Sequence, residues 1–187
     1  MCYPLSTAPT IARMATLVLT LIGDDRAGLV NAVAEVVARH GGNWERSQMA
    51  ELAGKFAGIV LVTIPDESVD GLVGALEPLH GMLDITAQAG AVELEVIAPG
   101  ARRFALDLVG TDRPGIVREI TDVLAAHSVN IDTLRTETRD APMSGGRLFE
   151  AVATLEVPAS TDIGALRVAL EKLANELMVD ISLDTGG

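Results

Sequence analysis

The sequence predicts an α+β protein built from two tandem ferredoxin-like β-α-β-β-α-β units, each an antiparallel four-stranded sheet with both helices on one face. Two observations lead to this prediction: the chain repeats itself, and each repeat runs through the same order of strand-like and helix-like hydrophobic patterns. The predicted divisions are a flexible tail at 1–14, a first domain at 15–98 and a second domain at 101–187.

The repeat is clearest in two glycine-containing stretches. Gly23–Val30 reads GDDRAGLV, and Gly110–Val117 reads GTDRPGIV. The offset is 87 for the glycines (110 − 23, 115 − 28) and for two asparagines (130 − 43). It grows to 93 at two phenylalanines (149 − 56), so the second repeat contains six additional residues, which the composition of 141–146 assigns to a surface loop.

Hydrophobic spacing predicts the elements of each repeat. In the first they are a strand at 17–22, a helix at 29–37, a hairpin of strands at 43–52 and 56–64, a helix at 69–79 and a strand at 83–89. In the second they are a strand at 104–109, a helix at 116–124, strands at 130–138 and 148–157, a helix at 163–177 and a strand at 179–183. Residues 91–97 alternate like a strand that prolongs the first sheet, and Pro99–Gly100 is the predicted domain boundary.

In this architecture one face of each sheet has no helix over it. Ile59, Leu61, Val152 and Thr154 are predicted to lie on those faces. Pairing of units edge to edge, or stacking of two chains, would cover this apolar surface, so we expect a homo-oligomer.

Composition narrows the classes of function. The net charge is −12, and the 14 Lys and Arg residues are scattered, which argues against direct nucleic-acid binding. No apolar run approaches the roughly 20 residues that a membrane span needs, so a soluble protein is expected. The single cysteine excludes an internal disulfide and fits the cytoplasm. Residues 1–13 lack the features of a secretory signal, and Met14 is an alternative natural start.

The motifs resemble those of the ACT domain, a small amino-acid-sensing module of metabolic regulation. The second repeat has a strand, then Gly-x-Asp-Arg-Pro-Gly-Ile-Val at a helix start, then His-x-x-Asn-Ile at the next strand. From about Ala15 to Thr185 the chain resembles two ACT domains, and it is most similar to the glycine cleavage system transcriptional repressor family. The resemblance implies a sensor of a small amino acid, glycine or serine first, that contacts a protein such as a DNA-bound transcriptional activator.

Two other functions stay open at this point. One is an ACT protein that has lost its ligand and serves only to dimerise or to bind a partner. The other is a regulatory subunit of an amino-acid biosynthetic enzyme. No nucleophile, base and orienting group occur at matched points of both repeats, and the three histidines and one cysteine are not clustered. We therefore expect no catalytic residues, no metal site and no cofactor.

The candidate ligand site is the turn from the first strand to the first helix of each repeat. The first N–H groups of that helix lack intrahelical partners and can receive a carboxylate. A Cβ at the glycine of the turn is expected to obstruct a ligand or a neighbouring strand. The candidate residues are Asp112, Gly115, Ile116, Asn130 and Ile131 in the second repeat, and Asp25, Gly28, Leu29, Asn43 and Trp44 in the first.

Each polar candidate has a structural alternative. Asp25 and Asp112 can accept a ligand's ammonium group or cap the helix. Asn43 and Asn130 are expected to reach the same pocket, as the resemblance also implies, or to occupy a left-handed turn.

The two repeats differ at the candidate site. The first repeat has Ala27 in place of the proline of the motif and Trp44 in place of the aliphatic residue after the asparagine. Trp44 is expected to pack against a partner domain or to line the pocket. A ligand is therefore expected at the second repeat before the first.

Overall fold

The structure, a computed structural model, describes residues 13–90, 100–141 and 146–185. The chain divides into two units, with the division between residues 94 and 95. Several predictions lie outside the described residues: Pro99 of the predicted boundary, the strand-like stretch 91–97, all but the last two residues of the predicted tail, and the centre of the predicted loop at 142–145.

The first unit contains six regular elements and a four-stranded sheet of order β2-β3-β1-β4, in which all neighbouring strands are antiparallel. Short 3-10 turns at 66–68 and 77–81 flank its second helix. The elements are β1 (Met14–Asp24), α1 (Leu29–Arg39), β2 (Asn43–Leu52), β3 (Lys55–Pro65), α2 (Val69–Leu76) and β4 (Leu83–Ala89).

The second unit repeats this arrangement with the sheet order β6-β7-β5-β8, again antiparallel throughout. The elements are β5 (Arg102–Thr111), α3 (Ile116–Ala126), β6 (Asn130–Asp140), β7 (Arg147–Val157), α4 (Ile163–Leu177) and β8 (Val179–Thr185). The predicted α+β class and the order of strands and helices are confirmed in both units.

Each unit has its own hydrophobic core, because the period of a strand and the period of a helix direct apolar residues to one layer. Leu17, Leu19 and Leu21 alternate along β1 and are buried, and the stripe on α1 that includes Val33 and Val37 packs against them. The second core is built in the same way from residues between 104 and 183. No residue of the described ranges belongs to both clusters.

The opposite sheet faces are exposed in part, as predicted. Ile59 and Val152 have 54% and 53% of their surface exposed, while Leu61 and Thr154 are half-buried. The predicted tight connection of the first hairpin is also present: Ala53 and Gly54 both have positive φ, 52° and 76°, as two-residue hairpin turns of the favoured handedness require.

Candidate ligand site

Both strand-to-helix turns end on a glycine that begins the helix. Gly28 and Gly115 are the N-cap residues of α1 and α3, with φ of 93° and 97°. A Cβ on Gly28 would meet nothing within 4 Å, and a Cβ on Gly115 would lie 3.5 Å from Oε1 of Glu119. The prediction that a neighbouring strand approaches these glycines closely is therefore wrong. Glycine is required there because the left-handed backbone is costly for other residues.

The aspartates of the two turns do not cap the helices. Asp25 and Asp112 lie three residues before the N-cap glycines (28 − 25, 115 − 112), and neither helix has a side-chain capping hydrogen bond. Their backbone N–H groups instead donate to the O atoms of Gly54 and Arg147, both at 2.9 Å. The capping alternative is therefore wrong, and the turn is tied to the hairpin by its backbone. The Asp25 side chain is exposed and Asp112 is half-buried.

Different ion pairs brace the two turns. In the first unit Lys55 pairs with Asp24, and the Lys55 hydrogen bond and charge lower the pKa of the Asp24 carboxyl. In the second unit Nη2 of Arg113 lies 2.7 Å from Oε2 of Glu119. The residue that matches Glu119 is Ala32 (119 − 87), so this second pair has no counterpart in the first unit. The two turns thus differ in sequence, with Ala27 in the first and Pro114 in the second, and also in the ion pairs that their side chains form.

The asparagines lie far from the turns of their own units. Asn130 pairs with Glu156 of β7, which also pairs with Arg103 at the start of β5. The turn follows Thr111, eight residues further along β5 (111 − 103), or about 27 Å at roughly 3.4 Å per residue. The prediction that asparagine and turn share one pocket is therefore wrong within a single unit. Because α3 returns the chain to the end of the sheet where β5 begins, β6 starts at that end too.

Each asparagine instead binds an acidic side chain two residues further on. Nδ2 of Asn43 donates to Oε1 of Glu45 at 2.8 Å, and Nδ2 of Asn130 donates to Oδ1 of Asp132 at 3.2 Å. The ladders with β3 and β7 shift register at these acidic residues, so both are β-bulges. We did not predict this repeated Asn-x-acid motif, although its signal, an acidic residue two positions after both matched asparagines, is present in the sequence.

The left-handed alternative for the asparagines is also wrong. The positive φ angles before them belong to Gly41 (72°) and Ser128 (58°), whereas Asn43 and Asn130 are the first residues of strands. In the first unit the acidic group is further stabilised, because Oγ1 of Thr63 donates to Oε1 of Glu45 at 2.7 Å. The hydrogen bonds from Thr63 and then from Asn43 lower the pKa of Glu45.

The apolar candidate residues belong to the cores of their own units. Leu29 and Ile116 are buried, at 3% and 2% exposure. Trp44 and Ile131 are half-buried and pack against the core of the first and second unit, respectively. Ile131 also lines an apolar cavity.

The cavity is a small apolar cleft in the second unit, between α3 and the edge strand β6, with a volume of about 20 Å³. We did not predict it from the sequence. Val117 and Leu124 mark its extent along α3, and Leu134 and Thr136 of β6 form its outer wall. Phe149 closes one end and pairs with Gly110 beside the turn. Ile131 lies at the other end, next to Asn130, so the cleft runs between the two halves of the predicted site.

Two further features concern the described residues alone. Within 13–90, 100–141 and 146–185, no group of three or more His, Cys, Asp or Glu side chains is arranged to hold a metal ion. Among the helices in those ranges, none has the length and apolar character needed to cross a membrane.

Comparison with known proteins agrees with the fold of two similar units. Profiles of the ACT domain match residues 15–90 and 100–177. The chain is 27% identical over 176 residues to the glycine cleavage system transcriptional repressor of Escherichia coli strain K12, covering 94% of this chain and 92% of that protein. It is also 27% identical to a phosphoserine phosphatase of Mycobacterium tuberculosis, over 92% of this chain but only 41% of the enzyme.

A solved structure resembles the whole chain. The crystal structure of an unknown protein from Galdieria sulphuraria superposes with a TM-score of 0.85 at 31% identity, covering 94% of this chain and all of that one. The repressor, which this chain matches over 92% of its length, is by its name a regulatory protein. The phosphatase, by contrast, extends well beyond the part that this chain matches.

Proposed function

We propose that this chain, which belongs to the ACT-domain family, is an amino-acid-sensing regulatory protein that transmits ligand occupancy through contact with another protein. The observation that carries the proposal is the pair of ACT domains at 15–90 and 100–177, together with the similarity to the repressor over 94% of this chain. The net charge of −12 favours a protein partner, such as a transcriptional activator, over nucleic acid. Glycine and serine are the first ligands to test.

We place the ligand site at an interface between ACT units of two copies. In one unit, the turn with Asp112 and Gly115 and the strand start with Asn130 and Ile131 are at opposite ends of the sheet. Within the sheet formed by the described residues, β6 is an edge strand, and the backbone groups on its outer side have no partner in that sheet. If it pairs antiparallel with β6 of a second copy, Asn130 of one copy lies level with the glycine turn of the other. The first repeat offers the matching set Asp25, Gly28, Leu29, Asn43 and Trp44.

Charge along β6 favours one register for this pairing. Arg135, Glu137 and Arg139 are exposed and lie on the sheet face away from the helices. With the two-fold axis at Thr136, Arg135 of each copy is directly opposite Glu137 of the other. A shift of the register by two residues moves the two-fold axis to Arg135 in one direction and to Glu137 in the other. Like charges then lie opposite each other, which is destabilising.

Two measurements test this proposal. Thermal unfolding of the full chain with millimolar glycine, serine and the branched-chain amino acids is expected to show a ligand-dependent rise in Tm. At a free ligand concentration 100 times Kd, the stabilisation is about 2.7 kcal/mol. No rise with any amino acid would reject sensing.

Sedimentation of charge variants tests the interface. Arg135→Glu is expected to weaken association of the copies, and so is Glu137→Arg. The double variant R135E/E137R is expected to restore association, because it exchanges the charges across the same register. Failure of the double variant to recover would reject this register.

A second candidate function is regulation of an enzyme of amino-acid metabolism. It is favoured by the similarity to the phosphatase, in which a matching segment is joined to a larger enzyme. Affinity purification separates the two, since a biosynthetic enzyme as partner supports the second and a transcription factor supports the first. A third candidate is a ligand-free dimerisation protein. In that case Asp112→Ala and Asn130→Ala leave the affinity for the partner unchanged, and amino acids do not affect this affinity in the variants or in the unaltered chain.

A further inference from the structure

We propose that the first unit binds a second copy of this chain through its open face, the side of the sheet β2-β3-β1-β4 that carries no helix. The two open faces stack on each other about a two-fold axis that runs parallel to the strands. This contact is separate from the pairing of β6, and it does not depend on amino-acid sensing.

The centre of the open face is apolar and exposed. Its residues alternate along the two central strands with those buried in the core. Ile22 and Ile59 each have 54% of their surface exposed. None of the six central residues is charged; they are Val18, Thr20 and Ile22 of β1, and Ala57, Ile59 and Leu61 of β3.

Charged residues of the open face lie around this centre. Arg46 is on the edge strand β2, and Asp84 is on the edge strand β4. Lys55 and Asp24 lie together at one end of the central strands. An apolar centre inside a polar rim is the usual composition of a protein–protein interface.

The matching face of the second unit is unsuited to such a contact. Asp107 stands at the position of Thr20 (107 − 87), and Glu150 stands at the position of Ala57 (150 − 93). Both carboxylates are on central strands, and Glu150 forms an ion pair with Arg139 of β6. Stacking of two such faces would remove these charges from water, which is costly. The difference between the repeats therefore assigns the contact to the first unit.

The shape of the open face is complementary to itself about the proposed axis. An axis between β1 and β3 places β1 of one copy over β3 of the other, so residues that pair in the sheet also lie across from each other in the stack. Ile59 then lies across from Thr20 of the second copy, and Ile22 lies across from Ala57. A large side chain meets a smaller one at both points, which allows close packing.

The charges of the open face favour the same axis. It places Lys55 across from Asp24 of the second copy, so opposite charges alternate around the end of the contact. A two-fold axis across the strands would instead place β1 over β1 and β3 over β3. Lys55 would then meet no acidic residue, and Asp24 no basic one, on the facing strand.

The open face is also large enough for a stable contact. Its four strands lie about 4.8 Å apart, and β1 and β3 each contain 11 residues. The face therefore measures roughly 19 Å by 37 Å, or about 700 Å² in projection. A standard interface removes about 800 Å² of surface from each partner, so stacking of the two faces is of the required size.

Sedimentation of the full chain over a range of concentrations tests the proposal. The double variant Thr20→Asp/Ala57→Glu gives the first unit the two carboxylates that the second unit carries at the matching positions of the same fold. It is expected to lower the association constant at least about a hundredfold, because the added charges would lose their water in the stack. The Tm of the variant shows that it is folded.

The control is Asn31→Asp/Ala38→Glu, which makes the same change in charge at exposed positions of α1, in the other layer of the first unit. It is expected to leave association unchanged. An equal fall in this control would overturn the proposal, since net charge and not the open face would then be the cause. Unchanged association of T20D/A57E would overturn it as well.

Arg135→Glu separates this contact from the pairing of β6. Loss of association in T20D/A57E but not in R135E supports the stacked faces and rejects the register of β6. Loss in R135E alone supports that register and overturns the stacked faces. Where each variant loses part of the association, the two sets of substitutions combined are expected to give a monomer. An unaltered chain that is monomeric at all concentrations would overturn both contacts.

Discussion

Gly110 of β5 lies against Val179 of β8 so closely that a Cβ on Gly110 would be 2.7 Å from the Cβ of Val179. The two residues are paired directly in the sheet. Gly23 holds the equivalent place in β1, where a Cβ would be 2.5 Å from the backbone O of Met82. In both units, glycine just before the turn allows the outer strand to close on the sheet.

Gly110→Ala is therefore expected to lower the free energy of unfolding by about 1–3 kcal/mol, since β8 must move to admit the methyl group. Urea denaturation measures the change. Gly74→Ala is the matched control: Gly74 lies in α2 with nothing within 4 Å of its Cβ position, so alanine there is expected to stabilise by about 0.5–1 kcal/mol. Equal effects of the two substitutions would contradict the steric explanation.

Gly115→Ala is expected to cost about 1–3 kcal/mol of stability for a different reason, the left-handed backbone at φ 97°. Space does not limit this position, because the nearest atom to a Cβ is 3.5 Å away. Asparagine tolerates the left-handed region better than alanine, so Gly115→Asn is expected to lose less. Denaturant unfolding of both variants checks this order, and a greater loss with the larger asparagine would indicate a steric limit instead.

Thr63→Val is expected to raise the pKa of Glu45 towards its ordinary value, because the hydroxyl hydrogen bond is the largest cause of its lowering. A carboxyl whose pKa is lowered by folding contributes stability above its unfolded pKa, and this contribution is lost as the pH falls through the folded pKa. Removing the bond should therefore weaken the decline of stability in acid.

NMR titration of the Glu45 carboxyl measures this change. Thr16→Val is the control, since Thr16 pairs with Thr63 in the sheet but makes no hydrogen bond to Glu45 among the described contacts. An unchanged Glu45 pKa in Thr63→Val would contradict the assigned cause.

The order of elements was predictable because it depends on local periodicity and on the repeat. Alternating residues such as Leu17 and Leu19 direct a strand's apolar side to the core whatever surrounds it. The hairpin at Ala53–Gly54 and the glycine turns follow from backbone preferences of those residues. Because the two repeats share one pattern, each helix or strand predicted in one unit predicts the matching element in the other.

The site was only partly predictable. That Gly115 begins a helix is a local property, whereas the distance from Asn130 to the turn depends on the direction in which α3 returns the chain. The cleft depends on Thr136, Ala151 and Leu124, which meet only when a helix packs over two paired strands. The sequence by itself thus determined the two units and their turns, through short-range periodicity and backbone preference. Tertiary structure alone decided which ends of the strands meet and where space is left between side chains, because both depend on residues distant in the chain.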